Sequence, residues 1–544
     1  MSRFNVLIDS YYRAWFRYHP ERAVDLGVEG YAHLLTPYGD DDIGALITLN
    51  EKLIDEIDAL DIDELDQDQK IDLQLMYGQA IIESKQLIDT DWRVNNPSRF
   101  IPVNAIYQLT IRPVQDRTTA LRERLAAIPA YLRGAKRYLL TSPEKIPAVW
   151  LDSAVIEAQE GIKYFRQLHQ HPVVQPCRVS SELEQATHAL EEFERFLSKD
   201  LIGLASGDFA CGRVLFDMKL KYEHGLDINA DQLYRLGETL HQQVKQSLTQ
   251  VTQKLQGNQA TEQLINKIQQ DVNKDEPLLE QYKQCMLAAK AFVEEKGLVS
   301  VPDKQYLHVV TTPPFLQHQI PFAAYMDPMP TDTAQAGYYY VTPPGDVDSW
   351  GEHNKISLQH TCVHEAWPGH HLQFVTANHT ARSRTLPRLI NSSATLYEGW
   401  ALYSEQLMYE QGFLDSDVSE FVLLKDRLWR ALRIMLDVGL HVHQYTLTDC
   451  AKQMQSELGF SQIQAMADLS WYTQSPTVPM GYATGWALIN ETRERLRGID
   501  EQFSLRAFHD QLLSVGSIGL PWVLRRCFGE PLWKSIRQST FEVH

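Results

Sequence analysis

Cysteine is scarce and unpatterned in this chain: six residues among 544, at positions 177, 211, 285, 362, 450 and 527, with no C-x-x-C spacing. That argues against a disulfide framework and fits a reduced compartment, so a cytoplasmic protein is expected. No run of about 18 uncharged apolar residues exists to span a membrane. The first twenty residues carry Arg3, Asp9, Arg13 and Arg17 and lack the apolar core of a signal peptide. Basic charge is in deficit, with 51 Lys and Arg against 70 Asp and Glu and a formal net charge of -19. Nucleic acid and anionic membrane surfaces are therefore not expected as partners, since both recruit basic stripes. There is no G-x-S-x-G elbow, no P-loop glycine pattern, no internal repeat and no low-complexity segment.

What is present is enough apolar material, 44% of residues, for a large core in a chain too long for one. Two lobes are expected: a helical N-terminal lobe over 1–295 and a catalytic lobe over 296–544. Apolar residues at three- and four-residue spacing run through the first region, as in Leu233, Leu236, Leu240 and Val244. Proline-bearing joints fall near 97–102, 143–147 and 172–176. The acidic run from Asp55 to Asp68 fails the calcium-loop test, because Asp66 stands where the turn glycine belongs, and reads as a solvated helix–turn–helix surface. Between 299 and 345 the pattern changes. Residues 306–310 and 337–342 are β-prone runs bounded by Pro-Pro pairs, and predict one small sheet. Helical periodicity resumes after 351. The fold class is thus mainly α with a small sheet near 299–345.

The decisive string runs from Thr361 to Gln373 and contains His364-Glu365-Ala-Trp-Pro368-Gly369-His370-His371. Neutral imidazoles hold a zinc ion, and a neighbouring carboxylate takes a proton from water that the metal has acidified. In the usual H-E-x-x-H pattern both histidines share a helical face, but here the i+4 position is Pro368. On a regular helix i+6 points about 120° away from i, whereas i+7 points the same way but lies about 10.5 Å along the axis. Pro368 removes a backbone donor and Gly369 permits unusual dihedrals, so a bulged turn can bring His370 to the vacant place. His370 is favoured over His371 on that geometry. His360 and His364, at i and i+4, form a rival pair in which Glu365 follows the second ligand. A third ligand is expected from Leu396-Tyr-Glu398-Gly-Trp-Ala-Leu-Tyr-Ser-Glu405, a helix that Ser392 or Ser393 can cap and Gly412 can end. Glu398 and Glu405 share one face, so one can bind metal while the other accepts a hydrogen bond from a ligand histidine. Periodicity does not choose between them.

The strings His364–Gln373 and Glu398–Glu405 resemble those of the bacterial "domain of unknown function 885" family, taken as a gluzincin-like branch of the metallopeptidases. The likeness extends over nearly the whole chain, from Pro20–Gly27 through Asp437–His441 to Phe508–Gly516. The second string is also similar to the N-E-G-F-A helix of aminopeptidases, which implies Glu398 as the third ligand. Gly481-Tyr482-Ala-Thr-Gly485 resembles the G-Y-A-x-G turn of thimet-type oligopeptidases, whose tyrosine faces the reacting carbonyl; that role is carried to Tyr482. The resemblance also implies two helical lobes around a deep central cleft that admits short peptides. This sequence departs from the family at Trp471-Tyr472, Pro476-Thr-Val478 and Thr342, which touches substrate preference rather than metal binding.

The expectation is a zinc-dependent hydrolase of short peptides holding one Zn2+ at His364, His370 and Glu398, with Glu365 as general base and Tyr482 as oxyanion donor. A histidine–carboxylate site with an open position suits zinc over manganese or cobalt. Residues 337–342 are expected to offer a strand edge to an extended peptide. Asp437 and His441, at i and i+4, read as a buried hydrogen-bonded pair before a catalytic one, and Cys362 as a small buried residue. Two other functions fit the same residues: hydrolysis of a non-peptide amide or ester, and binding of zinc or peptide without turnover.

Overall fold

The computed structural model describes residues 3–256, 261–317, 320, 322–345 and 348–542. It is dominated by helices, with one three-stranded sheet. Two compact units form. One comprises Met1–Phe209 with Pro313–Gln319 and Met329–Asp332; the other comprises Ala210–Thr312, Ile320–Pro328 and Thr333–His544.

Among its described residues the first unit contains helices and their connections and no strand. Its acidic run forms the expected helix–turn–helix: Asp40–Asp58 ends, a short 3-10 turn spans Ile62–Glu64, and Asp66 caps Gln67–Asp89 by accepting from Gln69 N at 2.8 Å. Each of the three proline joints becomes a 3-10 turn, at Pro97–Phe100, Pro143–Lys145 and Gln175–Cys177. Proline fits there because the first residues of a helix have no intrahelical use for an N–H.

The second unit begins well before the expected boundary at 295/296. The helices Ala230–Gln256 and Leu278–Lys296 belong to it and not to the N-terminal lobe. Leu233, Leu236, Leu240 and Val244 are buried as their spacing requires, but the surface they meet is a helix nearly two hundred residues later: a Cβ on Gly237 would lie 2.9 Å from Ile434 Cγ2. Periodicity shows that a face is buried and is silent about its partner.

The sheet consists of β1 (Tyr306–Thr311), β2 (Ala323–Met326) and β3 (Ala336–Val341), in the order β1-β3-β2. β1 runs parallel to β3 and β2 antiparallel to it. The expected role of residues 337–342 as an edge is therefore wrong. β3 is paired on both sides, and Tyr339, Tyr340 and Val341 are buried in a way an edge strand would not need. The unanticipated strand is β2, whose Ala-Ala-Tyr-Met sequence is too short to announce itself.

Five helices then build the site: α1 (Lys355–Glu365), α2 (His370–His379), α3 (Ala394–Glu410), α4 (Asp417–His441) and, after the helix Gln462–Gln474, α5 (Gly481–Ile499). Among the described residues no helix is long and apolar enough to cross a membrane.

Candidate metal centre

α1 starts at Asn354, whose side chain accepts from Ser357 N at 2.9 Å, and carries His360 and His364 into the interior one turn apart. It stops at Glu365. The expected single bulged helix is not what forms: the chain breaks over 366–369 and restarts as α2 with His370 as its first residue. Pro368 cannot donate to α1, and the freed carbonyls are taken up across the break, by Gly369 N to Val363 O at 3.0 Å and Leu372 N to Ala366 O at 3.3 Å. Gly369 is obligatory for the close approach, since a Cβ there would stand 1.8 Å from His364 O. The Pro368 carbonyl accepts from Trp400 Nε1 at 2.7 Å, which ties the break to α3.

α3 is capped by Ser393, which accepts from Thr395 N, and its chain leaves through Gly412 at φ 89°. Leu396, Trp400, Tyr403 and Leu407 are buried as read. Glu398 and Glu405 project from this helix towards α1 and divide the labour. Glu398 Oε2 lies 3.5 Å from His364 Nε2 and 3.2 Å from His370 Nε2. Glu405 Oε1 instead accepts from His364 Nδ1 at 2.7 Å, on the other side of the ring. The two imidazoles are nearly perpendicular, at 86°, with centroids 4.9 Å apart. One atom from each of His364, His370 and Glu398 falls within 4.8 Å of the other two.

The remaining candidates sit around this trio. His371 is buried against the sheet, with its Nδ1 3.1 Å from the Tyr325 hydroxyl, and is not part of the cluster. Burial drives its pKa down to about 3. His360, the rival ligand, has its Nδ1 3.9 Å from Glu405 Oε2 and is not among the three residues that converge. Glu365 is half-buried; burial raises its carboxyl, against the opposing charges of His364 and His370. Tyr482 is the second residue of α5. That helix crosses α3 with glycine on glycine: a Cβ on Gly485 would stand 2.0 Å from Thr395 O and 2.7 Å from Gly399 Cα. The crossing sets the Tyr482 ring 18° from parallel to the His364 ring, 6.3 Å between centroids, with its hydroxyl beside Glu398. Burial lifts this phenol well above its ordinary pKa, so it remains a donor at neutral pH.

Asp437 and His441 take no part. Asp437 accepts from Thr477 N and Met480 N, both at 3.2 Å, fixing the turn ahead of Tyr482, and burial pushes its carboxyl up to about 8. His441 bonds the Tyr472 carbonyl at 3.0 Å and Cys211 N at 3.3 Å. Cys362 is fully buried, as expected of a packing residue. Sequence reasoning missed the arginines of α4. Arg433 lies 4.6 Å from the Tyr482 ring centroid and bonds Tyr472 OH at 2.7 Å, so the departure at Trp471-Tyr472 is filled by a cation–aromatic stack. The only signal was their i, i+3 spacing, which is shared by countless solvated helices.

The trio fits a divalent cation on its own chemistry. Glu398 Oε2 is buried against the Nε2 atoms of His364 and His370, at 3.5 and 3.2 Å, so three polar atoms out of water face one another at a single point. Two nitrogens and one carboxylate oxygen converge, and the outer carboxylate, Glu405, fixes the tautomer of one ring. In the absence of a cation, hydrogen bonds to Glu398 and Glu405 overcome burial and lift His364 to about 10, while Glu398 and Glu405 are held far below the usual carboxylate range.

No curated protein matches the chain in sequence. Two solved structures share its fold. A provisionally assigned lipoprotein of unknown function from Shewanella oneidensis superposes with a TM-score of 0.78 at 21% identity, covering 97% of this chain and 100% of its own. A provisionally assigned lipoprotein from Colwellia psychrerythraea gives 0.78 at 18% identity, covering 99% and 98%. Metallocarboxypeptidase 1 of Trypanosoma cruzi aligns over 99% of this chain and 98% of its own at a TM-score of 0.39 and 12% identity, too distant to bear on function. The two lipoproteins overturn the expectation of a cytoplasmic protein. That expectation rested on unpaired cysteines and N-terminal charge, and a chain with few thiols need not be in a reducing compartment. Residues 20–526 match the family described as "bacterial protein of unknown function (DUF885)", and the chain belongs to that family.

Proposed function

We propose that this protein is a zinc-dependent hydrolase of short peptides. The observation that carries the reading is the convergence of His364, His370 and Glu398 within 4.8 Å, with Glu365 next to the first ligand in the chain. His364 and His370 would hold the ion through Nε2 and Glu398 through a carboxylate oxygen, and Glu405 would keep His364 oriented. A zinc ion bound there supplies Lewis acidity, lowering the pKa of a water molecule and polarising a carbonyl.

Glu365 accepts the water proton on a carboxylate oxygen and passes it to the leaving nitrogen. Its raised carboxyl pKa brings it closer to the value at which one group can do both. Tyr482 donates its hydroxyl to the oxygen on which negative charge develops, a role its raised pKa preserves. Peptide as the substrate class rests on the likeness of the histidine and tyrosine motifs to those of gluzincins and thimet-type oligopeptidases.

Glu365→Gln tests the reading. Cleavage of a mixed peptide library, followed by mass spectrometry, is expected to fall by at least about 10²–10⁴-fold while one zinc per chain is retained. Equal activity of variant and wild type, or inertness of both across peptides, amides and esters, would remove the hydrolase assignment.

A further inference from the structure

We propose that Asp437, Thr477 and His224 are positioning residues for Tyr482: they clamp the turn ahead of it in a strained conformation that sets its ring against the His364 imidazole. The role of Tyr482 rests on the hydrolase reading; the clamp rests on the backbone of the turn and its buried partners.

Thr477 has φ 70°, in the left-handed region. The other non-glycine residues described there are Asp91, Arg178, Gln335 and Gln444, so Thr477 is the only β-branched one among the described residues. A branched Cβ crowds the backbone in that region, and the conformation persists only where its surroundings over-determine it. Here they do. Thr477 is fully buried; its N–H donates to Asp437 Oδ1 at 3.2 Å and its hydroxyl donates to the Pro476 carbonyl. The hydroxyl oxygen also meets His224 Nε2 at 3.0 Å. Glycine would take this φ without strain but would leave the buried ring nitrogen without a partner. Strain of this kind gathers at functional sites, and this turn ends where Tyr482 begins its helix.

The clamp ties together the two helices that carry Glu398 and Tyr482. Asp437 Oδ2 accepts from Met480 N at 3.2 Å, so one buried carboxylate grips both ends of the 477–480 turn, and α5 starts at the next residue. The Thr477 hydroxyl directs its proton at Pro476 O, so His224 is the donor at Nε2 and its Nδ1 accepts from Ser393 Oγ at 2.8 Å. Ser393 is the cap of α3, the helix of Glu398. The two helix starts also touch, since a Cβ on Gly481 would stand 2.4 Å from Ala394 Cβ. Any shift of the turn therefore moves Tyr482 relative to Glu398 and to the His364 ring, 6.3 Å from its own. None of the three clamp residues belongs to the converging trio; each acts through the turn.

The test places a meta-fluorotyrosine at residue 482 of the full-length protein and follows its fluorine resonance as zinc is added. Measurements are made near about pH 9, above the value of about 8 to which burial pushes the Asp437 carboxyl, so that both its oxygens accept. Asp437→Asn turns one acceptor into a donor facing a backbone N–H, and Thr477→Val keeps size and branching but loses the hydroxyl. With the clamp intact, one resonance is expected to move on zinc loading. In both variants it should broaden or split and lose that response, with one zinc per chain retained. In unlabelled protein Asp437→Asn should lower kcat about 10–100-fold at constant KM. On top of Tyr482→Phe it should lower kcat by less than about 2-fold, because the group it positions is already gone. The proposal is overturned if the resonance and its zinc response are the same in the variants as with the clamp intact, or if Asp437→Asn costs its full factor in the Tyr482→Phe background. Loss of the fold in both variants would make the node structural and overturn it as well. A resonance that loosens in the variants of a protein that cleaves nothing would sustain the clamp and sink the hydrolase; cleavage and resonance both indifferent to the variants would do the reverse.

Discussion

Two pairs of buried histidines in the second unit, His224 with His509 and His364 with His370, differ in their surroundings. His224 has Ser393 Oγ at 2.8 Å from Nδ1 and Thr477 Oγ1 at 3.0 Å from Nε2, and His509 has Leu298 O at 2.7 Å and Tyr403 OH at 2.8 Å. Each ring is closed by neutral partners, and burial drives both pKa values down to about 4. The His364–His370 pair is open by contrast. Glu398 Oε2 lies 3.5 and 3.2 Å from the Nε2 atoms of the two rings, and hydrogen bonds to carboxylates overcome burial and raise His364 to about 10. Completed rings hold the helices together, as His224 does by joining the cap of α3 to the turn before Tyr482. Rings that converge with a carboxylate on one point have the arrangement of a cation site. Convergence with a carboxylate, and not incompleteness alone, sets the candidate pair apart, because both ring nitrogens of His360 and Nε2 of His371 are also buried without a hydrogen-bond partner among the described residues.

The largest difference between the two pairs is expected at the proposed ligands. His370→Ala or Glu398→Ala should abolish stoichiometric zinc, measured by metal analysis after gel filtration, a loss exceeding the roughly 10–100-fold typical of an outer partner. His224→Ala and His371→Ala should keep it. Retention of zinc by His370→Ala together with its loss from His371→Ala would reassign the second ligand. Gly369→Ala comes next. A Cβ at 1.8 Å from His364 O and 2.4 Å from Val363 O cannot be accommodated without moving the break, and a loss of about 2–3 kcal/mol in chemical unfolding is expected. Glu405→Gln is milder: the acceptor for His364 Nδ1 survives but its charge does not, and zinc affinity should fall about 10-fold.

The smallest effect concerns pH, and its sign differs between the two surroundings. His364 has a folded-state pKa raised from 6.5 to about 10, so in metal-free protein its contribution is complete below 6.5 and is lost as pH climbs through about 10. His224 and His509 are depressed from 6.5 to about 4, so their contribution is complete above 6.5 and is lost as pH falls towards 4. Thermal midpoints of metal-free protein should decline on both sides of neutrality. Zinc should flatten the alkaline side alone, because a coordinated imidazole carries no proton to lose. Equal flattening of both limbs would show that zinc acts globally and not at His364.

Much of the site was legible in the sequence because its parts are local. Pro368-Gly369 between His364 and His370 announces a helix that cannot continue, and the i, i+7 spacing of Glu398 and Glu405 places both on one face. What stayed hidden depends on long-range partners. That the helix stops and restarts instead of bulging follows from Trp400 reaching Pro368 O, a contact between two motifs that no spacing rule links. Periodicity left Glu398 and Glu405 equivalent and only the resemblance to the aminopeptidase helix favoured Glu398; in the structure the two meet opposite sides of one imidazole. The β-prone run ending at Thr342 could be recognised as a strand but not as the central one, since the four residues of β2 carry almost no pattern. Arg433 was invisible for the same reason: a basic residue on an amphipathic helix reads as solvated until the facing rings are known.

A single cation shared by His364, His370 and Glu398 would lie among two imidazole nitrogens and one carboxylate oxygen. Crystals of the zinc-loaded protein, measured on either side of the zinc absorption edge, test it directly. The expected result is one anomalous peak at about 2.0–2.2 Å from Nε2 of both histidines and a carboxylate oxygen of Glu398, with Glu405 outside the coordination sphere. A peak bonded to His371 or His360 in place of His370, or no peak among these side chains at full zinc loading, would contradict it.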